Sequence, residues 1–98
     1  MIVLKPEATA DLAATSSWYE AKRTGLGVDF LLEVERTFQR VDERPAGYPK
    51  AHGDLRRAVV RRFPYTVYYR TDGQGGVAVY AVMHHRRSPV AWQERFQP

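Results

Sequence analysis

Ten residues set the architecture of this chain: Arg61-Arg62-Phe63-Pro64-Tyr65-Thr66-Val67-Tyr68-Tyr69-Arg70. Pro64 has no N–H to donate to a β-ladder and restricts Phe63 to an extended conformation, so this point cannot lie inside a central strand. We therefore expect a bend at residues 63–65, preceded by a strand over residues 57–62. The strand that follows, residues 65–70, is rich in the β-branched and aromatic residues that suit a pleated surface.

A third strand is predicted directly after these two. Residues 72–76 read Asp-Gly-Gln-Gly-Gly, and glycines supply the positive φ angles that a tight hairpin turn requires. The strand itself should run from residue 77 to about residue 84. The second half of the chain is therefore expected to form three strands joined by short turns.

The first half of the chain has the periodicity of helices. A short apolar strand at residues 2–4 is followed by Pro6, which is tolerated in the first turn of a helix, and this helix should extend over residues 7–23. The second helix must end at or before Arg44, because Pro45 disfavours a helical conformation in the residue that precedes it. It has the clearest apolar stripe in the sequence, formed by Phe30, Leu31, Val34, Phe38 and Val41.

Two further segments complete the predicted fold. Residues 45–54 hold two prolines and two glycines and are expected to be an irregular loop. Residues 90–96 are long enough for about two helical turns. We predict a single α+β domain over residues 1–98: an N-terminal strand, a two-helix hairpin packed on a mainly antiparallel sheet that three C-terminal strands complete, and a short C-terminal helix.

Composition excludes several classes of protein. With 98 residues, of which 44% are hydrophobic and 27% charged, the chain has the composition of a folded domain and not of a disordered segment. It contains no cysteine, which excludes a disulfide scaffold and a cysteine-ligated zinc site. No signal peptide or membrane span can be drawn. We expect a cytoplasmic protein that needs no cofactor and has no membrane partner.

Charge is distributed unevenly along the chain. Residues 1–50 carry seven Lys or Arg and eight Asp or Glu, whereas residues 51–98 carry eight Arg, no Lys and three acidic residues. The planar guanidinium fork suits phosphate and carboxylate groups. The second half of the chain is therefore expected to bind an anionic partner. The alternative is that these arginines are solvated charges that protect strand edges from aggregation.

Strand alternation indicates which side chains share a face. In the last strand Val77, Val79, Ala81 and Met83 should point toward the helices. The same alternation sends Val67 and Tyr69 toward the helices in the preceding strand. The face left uncovered is then expected to be basic and aromatic, and to carry Tyr68, Tyr80, His84, Arg86, Arg57 and Arg61.

The most conspicuous polar run is His84-His85-Arg86-Arg87. A metal site is disfavoured, because adjacent histidines in a strand point to opposite faces and no carboxylate or thiol lies nearby in the sequence. Proton transfer by His84, with arginines holding a phosphate, is the alternative chemistry. Plain surface residues at a strand end would give the same pattern.

The order and spacing of these residues resemble the RelE/ParE superfamily of type II toxin–antitoxin toxins, also known from plasmid stabilisation systems. The resemblance covers nearly the whole chain and is carried by Ala8, Asp11-Leu12, Trp18-Tyr19-Glu20, Gly25-Leu26-Gly27, Phe30, Phe38, Pro45, Tyr48-Pro49, Arg56-Arg57, Phe63-Pro64-Tyr65, Tyr68-Tyr69, His84, Arg86-Arg87, Pro89, Trp92 and Arg95. It implies a growth-inhibiting toxin that forms a hetero-oligomer with, and is neutralised by, a cognate antitoxin.

The superfamily divides over mechanism, and the resemblance implies two functions. ParE-like members inhibit DNA gyrase by binding, and the two-tyrosine strand and the His-x-Arg-Arg end look nearer to this branch. RelE-like members cleave mRNA on the ribosome without a metal ion. On this chain such catalysis would fall to Arg57, Arg61, His84 and Arg86, with Tyr68, Tyr80, Arg87 and Trp92 as binding residues. A basic RNA-binding domain without toxicity is a third interpretation.

Overall fold

The computed structural model describes residues 1–86 and 93–95. Between residues 1 and 86, two helices and five strands follow one another, and a short 3-10 turn at Pro45–Gly47 links the helices to the rest of the sheet. The elements, in order, are β1 (Ile2–Leu4), α1 (Pro6–Lys22), α2 (Leu26–Glu43), β2 (Lys50–His52), β3 (Leu55–Val59), β4 (Tyr65–Thr71) and β5 (Val77–His84).

The strands form one mixed sheet in the order β1-β5-β4-β3-β2, in which only the β1–β5 pair is parallel. The predicted α+β fold is therefore confirmed. Residues 93–95 are helical, in agreement with the predicted C-terminal helix, whose other residues lie outside the described ranges.

Two boundaries differ from the prediction. Lys50–His52 pairs with β3 as an edge strand, so residues 45–54 are not wholly irregular. A strand of three residues is too short to show an alternation of polar and apolar side chains in the sequence. The strand expected at residues 57–62 instead spans Leu55–Val59. Residues beyond Val60 form the turn into β4, where Arg62 adopts φ 70° and the Val60 N–H donates to the Tyr65 carbonyl oxygen.

The core lies between the helices and the inner face of the sheet. The predicted stripe of α2 is confirmed for Phe30, Val34, Phe38 and Val41, which are buried, whereas Leu31 is exposed. Their partners on the sheet include the fully buried Val67, Tyr69 and Val79. Burying a side chain of this size contributes roughly 1.5–3 kcal/mol, so this layer holds the two halves of the chain together.

The turn between the helices depends on glycine at two positions. Gly25 has φ 90° and comes directly before α2, and its N–H donates to a Glu20 carboxylate oxygen at 2.8 Å. The N–H of Gly27 donates to the other oxygen at 3.0 Å. Glu20 thus accepts hydrogen bonds from two amides at the N-terminus of α2. Its negative charge also interacts favourably with the positive end of the helix dipole.

Replacing Gly27 with alanine is expected to destabilise the protein by about 1–3 kcal/mol, although alanine favours helix over glycine by about 1 kcal/mol. A Cβ atom at this position would collide with the backbone carbonyl oxygen of Ser16, so α1 and α2 would have to move apart. Urea unfolding measures the loss. Thr24→Ala, at an exposed residue of the same turn, is the control, and equal stability of the two variants would contradict the close helix contact.

A bulge in β5 changes which residues share a face. Tyr68 pairs with Ala81 and Tyr69 with Val79, so the register shifts here and Tyr80 is the extra residue of a β-bulge. Alternation is reset beyond this point: Val82 joins the core beneath the helices. The expectation that Ala81 and Met83 point toward the helices is wrong, because both pack with Leu55 in a separate cluster on the other face.

Candidate functional site

Three of the predicted residues lie on the sheet face away from the helices, which we call the open face. Arg57 pairs across the strands with Tyr68, and Tyr68 and Tyr80 pack against the cluster of Leu55. Burial raises the pKa of Tyr68, while a hydrogen bond with Thr66 and the charge of Arg57 act in the opposite direction. The predicted positions of Arg57, Tyr68 and Tyr80 on this face are confirmed.

Tyr80 lies between cationic groups. The Lys5 Nζ is 5.5 Å and the Arg70 guanidinium carbon 5.7 Å from the centre of its ring, within the range of cation–π attraction. Arg70 also donates to Asp54 at 2.9 Å. The open face therefore carries the predicted basic and aromatic side chains, but they surround a buried apolar cluster of Leu55, Ala81 and Met83 that was not predicted.

Arg61 and Arg86 lie at one end of the sheet and not within its strands. Arg61 belongs to the turn between β3 and β4, and Arg86 follows β5. The His85 N–H donates to the Pro64 carbonyl oxygen at 2.9 Å, which brings the turn and the end of β5 together. Both arginine side chains are exposed, and within the described residues neither forms an ion pair. They extend the positive charge of the open face around this end.

His84 lies on the opposite side from Arg57, and its predicted position on the open face is wrong. Its ring centre is 5.2 Å from that of Tyr65, which packs against the core residue Phe30. Its Nδ1 accepts a hydrogen bond from the Arg86 backbone N–H at 2.9 Å. The bulge at Tyr80 is the cause, because it inverts the alternation of every later residue in β5. Arg87 and Trp92 lie outside the described residues.

A groove that the sequence did not reveal lies beside His84. It has a volume of about 390 Å³ and is bounded by α1 and the end of β5; its lining residues are Ala14, Thr15, Trp18, Tyr19, Tyr65 and His84. We call it the aromatic groove. The only sequence signal is the density of aromatics at Trp18-Tyr19 and after Pro64, which equally suits a core.

A second arrangement missed at the sequence level is centred on Asp11. Its carboxylate accepts hydrogen bonds from two guanidinium nitrogens of Arg95 at 2.6 and 2.9 Å, and from the Val82 backbone N–H at 3.0 Å. Asp11 raises the pKa of Arg95 through these hydrogen bonds and its charge, against the opposing effect of burial. The Asp11 carboxylate thus accepts from a backbone N–H of β5 that β1 does not reach, because β1 pairs with β5 only as far as Val79.

Two negative findings concern residues 1–86 and 93–95. In this part of the chain, no three His, Asp or Glu side chains are grouped so that they could hold a metal ion. Neither described helix is long and apolar enough to cross a membrane.

Comparison with known proteins gives the family. A search of curated protein sequences found no match. Among solved structures, a chain of a chromosomal ParDE toxin–antitoxin system from P. aeruginosa has a similar fold, with a TM-score of 0.64 and 21% sequence identity over 85% of this chain and 92% of that chain. The sequence model of the family described as "ParE toxin of type II toxin-antitoxin system, parDE" matches residues 2–89. The chain therefore belongs to the ParE toxin family, a branch of the RelE/ParE superfamily of type II toxin–antitoxin toxins.

Proposed function

We propose that this toxin stops growth by binding and inhibiting DNA gyrase, and that a cognate antitoxin neutralises it. Membership of the ParE family supports the choice of target. The observation that carries the choice of mechanism is the separation of His84 from Arg57 across the sheet. Both this target and the ribosome are cytoplasmic, so the toxin would act in the cytoplasm.

Separation of these residues disfavours a nuclease built on the predicted set. A general acid or base must come within hydrogen-bond distance of the proton it transfers, and a group that stabilises the developing charge must reach the same phosphate. Arg57 projects from the open face, whereas His84 packs toward α1. A binding inhibitor requires no such convergence, only a surface that its target recognises.

A ribosome-dependent endoribonuclease of the RelE type is the second candidate. It is favoured by the position of Arg61, Arg86 and His84 at one end of the sheet. These three lie at the same end of the sheet, whereas Arg57 lies within β3. Arginines there could bind a phosphate of the message.

The antitoxin is proposed to carry an acidic segment that folds on binding. The excess of positive charge on the toxin lies in residues 51–98, which contain eight arginines and three acidic residues. A disordered acidic segment can cover such a surface and order itself as it binds. The hetero-oligomer would then be the inactive, stored form of the toxin.

Purified toxin, freed of antitoxin, is expected to inhibit supercoiling by DNA gyrase. His84→Ala should change the inhibitory concentration by no more than about twofold, because inhibition by binding needs no proton transfer from the imidazole. The measurement is relaxed plasmid supercoiling followed on agarose gels.

The control is primer extension on a defined message in a reconstituted translation reaction. An intact message together with inhibited gyrase supports the proposal. New 5′ ends inside codons, formed only when ribosomes translate and lost in His84→Ala, would establish the nuclease instead.

A further inference from the structure

We propose that a second copy of this chain packs against the outer side of α2, so that the toxin forms a twofold-symmetric dimer through this helix. Three aliphatic side chains make the central contact: Val28, Leu31 and Leu32, which we call the outer stripe. Neither gyrase nor the antitoxin takes part in it. The open face stays uncovered in such a dimer, because the helices lie on the other side of the sheet.

The outer stripe is a second apolar surface on a helix that already buries one side in the core. Val28, Leu31 and Leu32 are 58%, 41% and 49% exposed. Their spacing, i, i+3 and i+4, makes them neighbours on the surface of the helix. Single exposed aliphatic residues are common and need no explanation, whereas an adjoining group of them indicates an interaction surface.

The packing of α2 leaves this side of the helix accessible. α2 contacts α1, β3 and the 3-10 turn. Gly27 lies against the α1 backbone at Ser16, and Glu33 reaches the turn between β3 and β4 through Arg62 at 3.3 Å. The outer stripe lies on the opposite side of the helix from these contacts, and no other part of the described chain covers it.

Charges beside the outer stripe are arranged to suit a second copy of the same helix. Asp29 and Arg36 are seven residues apart, which is about two turns, so both lie along the same flank of the stripe. In an antiparallel pair of α2 helices with Leu32 at the twofold axis, Asp29 of one copy lies at nearly the height of Arg36 of the other, within about 1.5 Å. Symmetry repeats the pairing, so two ion pairs border the leucines.

Both charged groups can form these pairs without breaking a buried interaction. Asp29 has only a long contact with Arg23, at 4.0 Å, and both side chains are well exposed. The Arg36 side chain is 58% exposed and shares the Glu33 carboxylate with Arg62, each at 3.3 Å. Because a guanidinium group has five N–H donors, Arg36 can bind a second carboxylate while it keeps the first.

The symmetry of the pattern favours a second copy over an acidic partner. A twofold interface joins the same patch of both copies, so the patch must be complementary to itself. The outer stripe meets this requirement, with aliphatic side chains at the centre and opposite charges on either side of it along one flank. An acidic segment would instead meet the carboxylates of Asp29 and Glu35 beside the stripe, and like charges repel.

The first test is analytical ultracentrifugation of the full chain, freed of antitoxin, over a range of concentrations. A single helix pair is a small interface, below about 1,200 Å² in total, so association should be reversible. The mass should rise from 11.3 kDa toward twice that value. Leu32→Glu places two carboxylates at the axis and should weaken association at least about 30-fold, the loss typical of a dominant interface residue. Val59→Glu makes the same change at an exposed residue of β3 and should associate like the wild type.

The second test exchanges the charges. Asp29→Lys and Arg36→Glu should each weaken association about tenfold, because both ion pairs become like-charge contacts. An equimolar mixture of the two variants should associate like the wild type, since each variant supplies the charge that the other has lost. A change in folding alone would persist in the mixture, so this recovery is specific to the antiparallel contact. Thermal unfolding of each variant checks that it is folded.

Three results would overturn the dimer. One is a wild type that stays monomeric at the highest attainable concentration, and another is equal association of Leu32→Glu and Val59→Glu. The third is a mixture of Asp29→Lys and Arg36→Glu that associates no better than either variant alone. If the wild type is monomeric and Leu32→Glu binds the antitoxin encoded beside the toxin gene more weakly, the outer stripe belongs to the antitoxin interface instead. None of these measurements depends on whether gyrase is the target.

Discussion

Replacing Tyr69 with alanine is expected to lower the free energy of unfolding by about 3–5 kcal/mol, the usual cost of removing a buried aromatic side chain. Among the residues that the structure describes, Tyr69 is the largest fully buried side chain, and its hydroxyl donates to the Pro45 carbonyl oxygen at 2.6 Å. The substitution therefore opens a cavity between the sheet and the 3-10 turn and also leaves that carbonyl without its donor. Domains of this size are stable by roughly 5–15 kcal/mol, so the loss is a large share of the total.

One further substitution separates the ring from the hydroxyl, and another serves as a surface control. Tyr69→Phe keeps the packing and should cost only about 0.5–1.5 kcal/mol for the lost hydrogen bond. Val59→Ala, at an exposed residue of β3, should change stability by no more than about 0.5 kcal/mol. Urea unfolding at neutral pH measures all three. A cost for Tyr69→Ala close to that of Val59→Ala would contradict its place in the core.

The hydroxyl of Tyr69 should also make stability sensitive to alkali. Burial raises the pKa of Tyr69 from 10.0 to about 12, with the charge of Arg56 acting against it. The unfolded chain loses this proton near pH 10, whereas the folded chain retains it until about pH 12. Its contribution is therefore complete below pH 10 and is lost as pH rises toward 12. Tyr69→Phe should lack that part of the alkaline loss.

Asp11→Ala is expected to destabilise the protein by about 3 kcal/mol, because removing one partner of a largely buried ion pair leaves the other charge uncompensated. The side chains of Asp11 and Arg95 are 15% and 26% exposed. The same substitution removes the acceptor of the Val82 N–H on the free edge of β5. Thermal unfolding measures the total effect, and hydrogen exchange at the Val82 amide measures the local one.

The matched control is Asp29→Ala, which removes the same charge from α2. Asp29 is 4.0 Å from Arg23 and both are well exposed, so the expected loss is at most about 1 kcal/mol. If Asp29→Ala and Asp11→Ala were equally stable, or if exchange at Val82 were no faster in Asp11→Ala, the proposed capping of β5 by Asp11 would be wrong.

Local patterns were sufficient for most of the elements. Pro64 does mark a turn, since the chain bends between Val59 and Tyr65. Gly73 and Gly75 both adopt positive φ in the hairpin between β4 and β5. Pro45 follows the end of α2 at Glu43. Each of these features depends on restrictions of φ and ψ within a few residues, which the amino-acid types alone impose.

Residues of the candidate site were harder to predict because their positions depend on pairing between strands. Val79, Tyr80 and Ala81 all suit a β-strand, and nothing among them marks Tyr80 as the extra residue of a bulge. Simple alternation was therefore correct for Val79 and wrong for Ala81 and His84. The side-chain period of a strand is two, so one inserted residue moves all that follow to the other face.

Contacts between residues far apart in the sequence could not be predicted from it either. Asp11 is 71 residues from Val82 and 84 residues from Arg95, and each of these residues alone has the pattern of an ordinary helix, strand or surface position. The aromatic groove likewise joins Trp18 on α1 to Tyr65 and His84 on the sheet. Such groupings exist only once the helices have packed.

The amino-acid sequence by itself determined the helices, the turns, the three C-terminal strands and the basic character of the second half, because backbone restrictions, periodicity and charge are local properties. Tertiary structure alone decided that β2 joins the sheet and that Asp11 caps β5. It also decided that His84 lies on the α1 side of the sheet, whereas Arg57 lies on the open face. These depend on register and on packing between distant segments, where the free energy of burying apolar surface selects one pairing among several that the local sequence allows.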